Sequence, residues 1–217
     1  MKGSIKFEEI WSSGLSALGA LLAVPATFFL LVPSLQAGKA WHVAGFMIYG
    51  IGLFVMFTAS TLYHGYEGSE AVKRFLHRLD YCAVATAISS GFTPFCLILE
   101  RTYYGYMVLT LIWFSALSAV YVKLTRPRAP KWVFVLFYLG MGWAGLFLVP
   151  SLIRLGWGPV LLMSGGGLSY SIGAVFFNWG SHPTRRFRFG KHEIWHLFIL
   201  AGATAHFLAI FLYLLPY

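Results

Sequence analysis

Charge is what this sequence has least of. Of 217 residues, 11% are Asp, Glu, Lys or Arg against 59% hydrophobic, and the mean hydropathy is +0.72. A soluble domain of this length cannot cover itself with so little polar surface, so the class is membrane protein. Acidic residues are the scarcer sign, 7 against 16 Lys and Arg. Cysteine is nearly absent. Cys82 and Cys96 fall in one helical stretch, about 21 Å apart along its axis, too far to pair with each other, and read as core residues. There is no internal repeat, linker, low-complexity tract, P-loop or Rossmann fingerprint, so no nucleotide-binding motif points to a function.

What is present is a series of seven apolar windows, each near the roughly 20 residues a bilayer requires. They run over 15–35, 42–62, 81–99, 104–122, 132–149, 157–178 and 194–215, with short connections between them. The expectation is an all-α membrane protein, a single seven-helix transmembrane domain over residues 1–217. A cleaved signal peptide is the alternative for the first window. Its apolar run is long, Lys2, Lys6, Glu8 and Glu9 precede it, and no A-x-A site follows, so it reads as a span. Trp41, Trp132, Trp157, Trp179 and Trp195 sit at span ends, as an interfacial belt would.

The basic residues are distributed unevenly. Thirteen of the Lys and Arg fall at the N-terminus and in the loops after spans two, four and six, and three fall in the remaining segments. By the positive-inside rule this places the N-terminus in the cytoplasm and the C-terminus outside. A basic cytoplasmic face holds anionic lipid headgroups, so the formal charge of +9 needs no nucleic-acid partner.

That topology gives a common depth to four ionisable residues. His64 closes the second span, Asp80 opens the third, and His192 and His196 begin the seventh, all at cytoplasmic ends. Ionisable groups near hydrocarbon are expensive and point to function. His192 and His196 share one helical face, as Ser60 and His64 do. Three imidazoles suit zinc and leave a fourth tetrahedral position open, as catalytic zinc requires. Asp80 would then orient the bound water or accept its proton, and Ser60 would hold a developing oxyanion. A lone helix-end histidine is more often a satisfied interfacial residue than a ligand. His206, about 15 Å deeper than His196, drops out of a shared site. His42 sits at the outer face and His182 on a loop.

Other features carry less. His192-Glu193-Ile194-Trp195-His196 also reads H-E-x-x-H, in which Glu193 would be the base of an intramembrane metalloprotease. Pro94 with Ser89, Ser90, Gly91 and Thr93 forms a polar, bendable seam, either lining a cavity or marking a tolerated kink. Gly140, Gly142 and Gly145, and Gly165 to Gly167 with Ser169 and Gly173, read as close helix packing.

Ser60-Thr61-Leu62-Tyr63-His64, Asp80, Gly91-Phe92-Thr93-Pro94-Phe95, Met141-Gly142-Trp143 and the H-E-I-W-H stretch, taken in order, resemble the hemolysin III family. That family belongs with the progestin and adipoQ receptors in a larger group of suggested membrane hydrolases that includes alkaline ceramidases. The resemblance implies seven helices, a cytoplasmic N-terminus and a zinc on the cytoplasmic side. It implies His64, His192 and His196 as ligands, with Asp80 and Ser60 contacting or orienting the zinc-bound water. The Glu8-Glu9 pair also matches. Ser12 and Ser16 stand where the family has Asn and His, which tells against a polar role for the first helix. The position of Glu193 varies in such proteins, which weakens the protease reading. The expected function is hydrolysis of a lipid amide or ester by a zinc-activated water, in the inner membrane if the source is bacterial. The alternative is a zinc-stabilised receptor or lipid sensor without catalysis, and a membrane-lytic protein has the least support.

Overall fold

The computed structural model describes residues 7–178 and 191–217, and among these every regular element is helical. In lipid no water is available to backbone amides, so a chain this apolar satisfies them within helices. The order is α1 (Phe7–Gln36), α2 (Ala40–Gly65), α3 (Glu70–Pro94), α4 (Tyr103–Thr125), α5 (Lys131–Trp143), α6 (Val149–Ile153), α7 (Trp157–Asn178) and α8 (Lys191–Ala209). A π-helical turn continues α3 over Phe95–Leu99, and another continues α8 over Ile210–Leu214. A 3-10 turn, Ala144–Leu148, joins α5 to α6 in one membrane span, giving seven helical segments long and apolar enough to cross a bilayer.

The ends have local causes. Ser69 caps α3 by accepting from the Val72 amide, and Thr102 caps α4 by accepting from the Gly105 amide. Gly38, with φ at 66°, turns the chain from α1 into α2, and Gly156, at 103°, turns it from α6 into α7. The break between α5 and α6 falls where three glycines, Gly140, Gly142 and Gly145, precede Pro150 in the first turn of α6.

One shift from the expected boundaries bears on the site. The third helix begins at Glu70, not at residue 81, so Asp80 lies almost three turns inside it instead of opening it. Lys73, Arg74 and Arg78 hide those first turns from a hydropathy reading. Trp41, Trp132 and Trp157 are exposed at span ends as expected. Trp195 is half-buried and packs against Phe177, so it belongs to the interior (ring centroids 5.3 Å apart). Trp179 and His182 lie outside the described residues.

Helix α1 packs on α2, α2 on α3, and α7 on α8, while α1 also meets α8 to close that side of the bundle. One core runs through these helices, with Leu30, Phe46, Phe95 and Ile210 fully enclosed. The outward faces carry exposed Leu21, Phe28 and Phe29 on α1 and Phe114, Leu117 and Tyr121 on α4. Such a surface belongs in hydrocarbon. The protein is an integral membrane protein.

The glycines divide. A Cβ on Gly145 would strike the Phe92 ring, and one on Gly173 the Trp195 ring, so there the expected close packing occurs. Gly140, Gly142, Gly165 and Gly167 face open space instead. In the seam before Pro94, Ser89, Ser90 and Thr93 donate back to carbonyls of their own helix, and the Trp113 indole donates to Thr93. Those hydroxyls are satisfied within the protein. Of the seam residues only Gly91 lines the interior cavity. Cys82 and Cys96 are both free thiols.

Candidate metal centre

Helices α2 and α8 bring the three sequence-identified histidines together. His64 Nε2 lies 3.2 Å from His192 Nε2, and His192 Nε2 lies 3.2 Å from His196 Nε2. The ring centroids stand 4.8, 5.0 and 4.9 Å apart for the pairs 64–192, 64–196 and 192–196. The donor set can be tested against a metal. Nitrogens held about 2.0–2.1 Å from a tetrahedral ion are about 3.3 Å from one another, close to the spacing found here. His64, His192 and His196 can therefore hold a metal ion, and all three ligand atoms lie within 4.8 Å of one another.

The neighbours orient these rings. His196 Nδ1 is 3.2 Å from the Ser16 hydroxyl, which leaves Nε2 to face the other imidazoles. Ser16 Oγ also donates to Ser60 Oγ at 3.2 Å. Ser60 in turn lies against the Asp80 carboxyl. Asp80 is enclosed by the bundle but keeps part of its surface on the cavity that also exposes His64 and His192. Four helices thus contribute to one polar group: α1 with Ser16, α2 with Ser60 and His64, α3 with Asp80, and α8 with its two histidines.

Ser16 corrects an expectation: the family resemblance tells against a polar role for the first helix, yet the Ser16 hydroxyl joins the site. It is 1% exposed, and a serine this deep needs a partner. The signal available was its place one turn or more inside an apolar helix, which alone does not say where the hydroxyl points. The structure also adds a wall behind Asp80. The His77 ring stands between Tyr63 and Tyr81, and the buried Lys123 ammonium sits 3.4 Å from the Tyr81 ring centroid and 4.8 Å from that of Phe134. At the end of α2, Lys73 Nζ donates to the Tyr63 and Tyr66 carbonyls at 2.7 and 3.2 Å and to Glu9 at 3.1 Å. That clamp fixes the last turn of α2, which carries His64. The Glu8 side chain lies outside the described part.

The remaining candidates separate. Glu193 is fully buried but is not among the residues lining the cavity onto which the histidines open. His42 is buried at the far end of α2, its edge toward Phe46. His206 is not in the metal-capable cluster, although it lines the same cavity deeper in the bundle. That cavity measures about 190 Å³ and is lined by residues of α1, α2, α3, α5, α6, α7 and α8. Beyond the polar group its walls are mostly apolar, among them Leu53, Met56, Leu146, Leu152 and Ile199.

The chain is similar to known proteins over most of its length. A family profile described as Haemolysin-III related matches residues 8–207. The chain is 34% identical over 211 residues to Hemolysin-3 of Bacillus cereus, covering 96% of this chain and 93% of the relative. It is 30% identical over 207 residues to the Hemolysin-3 homolog of Bacillus subtilis (strain 168), at 95% and 94% coverage. A human relative, the monocyte to macrophage differentiation factor, is 29% identical over 200 residues, at 90% and 81% coverage. The match spans every helix that supplies the polar group, and on that ground the chain belongs to the haemolysin-III-related family of membrane proteins.

Proposed function

We propose that this protein is a zinc-dependent membrane hydrolase acting on a lipid amide or ester. The observation that carries the reading is the convergence of His64, His192 and His196 at metal-ligand spacing on the wall of a largely apolar cavity. Zinc suits three imidazoles, and when bound it supplies Lewis acidity and an acidified water at neutral pH.

The chain's own residues do the rest. The Asp80 carboxylate takes a proton from water as its oxygen bonds to the carbonyl carbon, and returns that proton to the departing nitrogen or oxygen as the C–N or C–O bond breaks. The Ser60 hydroxyl donates to the carbonyl oxygen as negative charge collects there. Ser16 holds His196 in one tautomer and orientation, a role typical of groups behind metal ligands. The apolar walls hold the acyl chain and exclude bulk water from the reacting carbonyl. With the N-terminus cytoplasmic, as the basic residues favour, this chemistry faces the cytoplasm, at the inner membrane in a bacterium.

The test combines metal analysis with turnover of lipid amides and esters by the zinc-loaded protein. Asp80→Asn should abolish turnover while retaining metal and fold, and Glu193→Gln should leave turnover within about threefold, because Glu193 does not face the cavity. Loss in the Glu193 variant with survival in the Asp80 variant would move the assignment to protease-like chemistry. Bound zinc with no hydrolysis of any lipid class would instead support a receptor or lipid sensor in which the metal only joins helices.

A further inference from the structure

The far wall of the cavity is not purely apolar. Tyr49 lines it from α2, Tyr170 from α7 and His206 from α8. Two of these rings sit in places cleared by glycine. A Cβ on Gly166 would come within 2.4 Å of the His206 ring, and one on Gly202 within 2.5 Å of the Tyr170 ring. Tyr170 and His206 meet edge to face with centroids 5.3 Å apart. His206 Nε2 lies 3.3 Å from the Met163 carbonyl oxygen, so that nitrogen carries the proton and Nδ1 is the ring's acceptor. Tyr49 is 2% exposed, and its hydroxyl has no hydrogen-bond partner among the described residues. A buried hydroxyl without a partner is rare in folded proteins and asks for an explanation.

Depth supplies one. His206 is ten residues beyond His196, about 15 Å along α8, and Tyr49 is eleven residues from Ser60, about 16 Å along α2. Ser16 reaches both Ser60 and His196, so these two antiparallel helices place Tyr49 and His206 at about the same distance from that level of the site. We propose that Tyr49, Tyr170 and His206 form a second, polar subsite that selects a lipid whose acyl chain carries an oxygen, as hydroxyl or ketone. With carbon–carbon bonds of about 1.5 Å, an extended chain advances about 1.25 Å per carbon, so the oxygen belongs about twelve carbons from the reacting carbonyl. The subsite rests on the lipid reading given above. An unsubstituted chain leaves the Tyr49 hydroxyl unbonded against hydrocarbon, and rejection of a ligand that lacks the matching polar group is the stronger half of such selectivity.

The probes are free fatty acids, the acyl product of the proposed hydrolysis, added to the purified full-length protein in detergent. Octadecanoic acid, 2-hydroxyoctadecanoic acid and 12-hydroxyoctadecanoic acid would compete with a fluorescent fatty acid. The 12-hydroxy acid should bind about tenfold more tightly than the other two. Tyr49→Phe, which removes one oxygen and keeps the ring, should bring the three affinities together by weakening the 12-hydroxy acid alone. Equal affinities in the unaltered protein, or a preference that survives Tyr49→Phe, would overturn the subsite and leave the lipid occupant standing. If none of the acids displaces the fluorescent probe, or the probe itself does not bind, the lipid reading falls and the subsite with it.

Discussion

The Ser16 hydroxyl of α1 and His196 Nδ1 of α8 stand 3.2 Å apart, although 180 positions separate them in the chain. This contact joins the first and last helices at the level of the histidine cluster. The same hydroxyl reaches Ser60, so one small side chain fixes the orientation of both a metal-capable imidazole and the serine beside Asp80. Groups behind a metal ligand set its tautomer and basicity. Ser16→Ala should weaken zinc binding by about 10–100-fold with the fold intact, read by chelator competition. An unchanged affinity would remove Ser16 from the site.

Metal loss should also loosen the bundle. His64 lies on α2 and the other two histidines on α8, and these helices are linked also through α1 and through the π-helical turns that end α3 and α8. An ion bound to the native state alone stabilises it by mass action. His64→Ala with His192→Ala and His196→Ala should lose the zinc and lower the thermal midpoint by roughly 5–10 °C, as a change of about 2–4 kcal/mol does at this chain length. Chelation of the parent protein should give the same shift. A triple variant with parental metal content and midpoint would refute the assignment.

The histidine cluster was legible in the sequence because its members stand in contrast to everything around them. Imidazoles spaced one turn apart at the start of an apolar run are conspicuous, and common depth follows from counting spans. Two things were not legible. Asp80 reads as the start of its helix because Lys73, Arg74 and Arg78 lower the hydropathy of turns that are nevertheless helical. Ser16 is hard to read because it stands where the family has His, and because a serine in an apolar helix can equally bond to its own backbone, as Thr27 and Ser34 do on the same helix. Which way a hydroxyl turns depends on the neighbouring helices, and single-sequence periodicity does not rank neighbours. The cavity is invisible for the same reason: it is a property of several helices together.

Sidedness is open to direct measurement. Seven crossings would put the two ends on opposite sides, and the distribution of basic residues favours a cytoplasmic N-terminus. Reporter fusions should find residue 1 and the connection from α4 to α5, with Arg126 and Arg128 in it and Lys131 opening α5, in the cytoplasm, and residue 217 outside. Replacing those three basic residues should weaken the bias but not reverse it, since the N-terminus and two other loops carry the same sign. Both ends reporting on one side would contradict the seven-span arrangement.

The opposite end of the bundle offers a pH test outside the membrane spans. Glu100 follows the π-helical turn after α3 and is largely enclosed. Ser151 donates to it, Thr102 donates at 2.8 Å, and the Arg154 guanidinium completes the set. The Ser151 hydrogen bond does most to hold its carboxyl below the ordinary value of 4.5, with Thr102 and Arg154 acting in the same direction and burial opposing them. A carboxyl depressed in the folded state stabilises the fold above its unfolded pKa and loses that contribution as pH falls through the folded one. Hydrogen bonds to a charged group are worth about 1.5–3 kcal/mol together with their desolvation, while the exposed Arg154 adds little. Glu100→Gln should therefore lower the thermal midpoint by several degrees near pH 7. The gap between variant and parent should narrow as the pH falls below the ordinary carboxyl value of 4.5 and close once the folded carboxyl is protonated. A gap that is absent at neutral pH, or that persists unchanged in acid, would show that the Glu100 carboxylate does not tie α4 to α6.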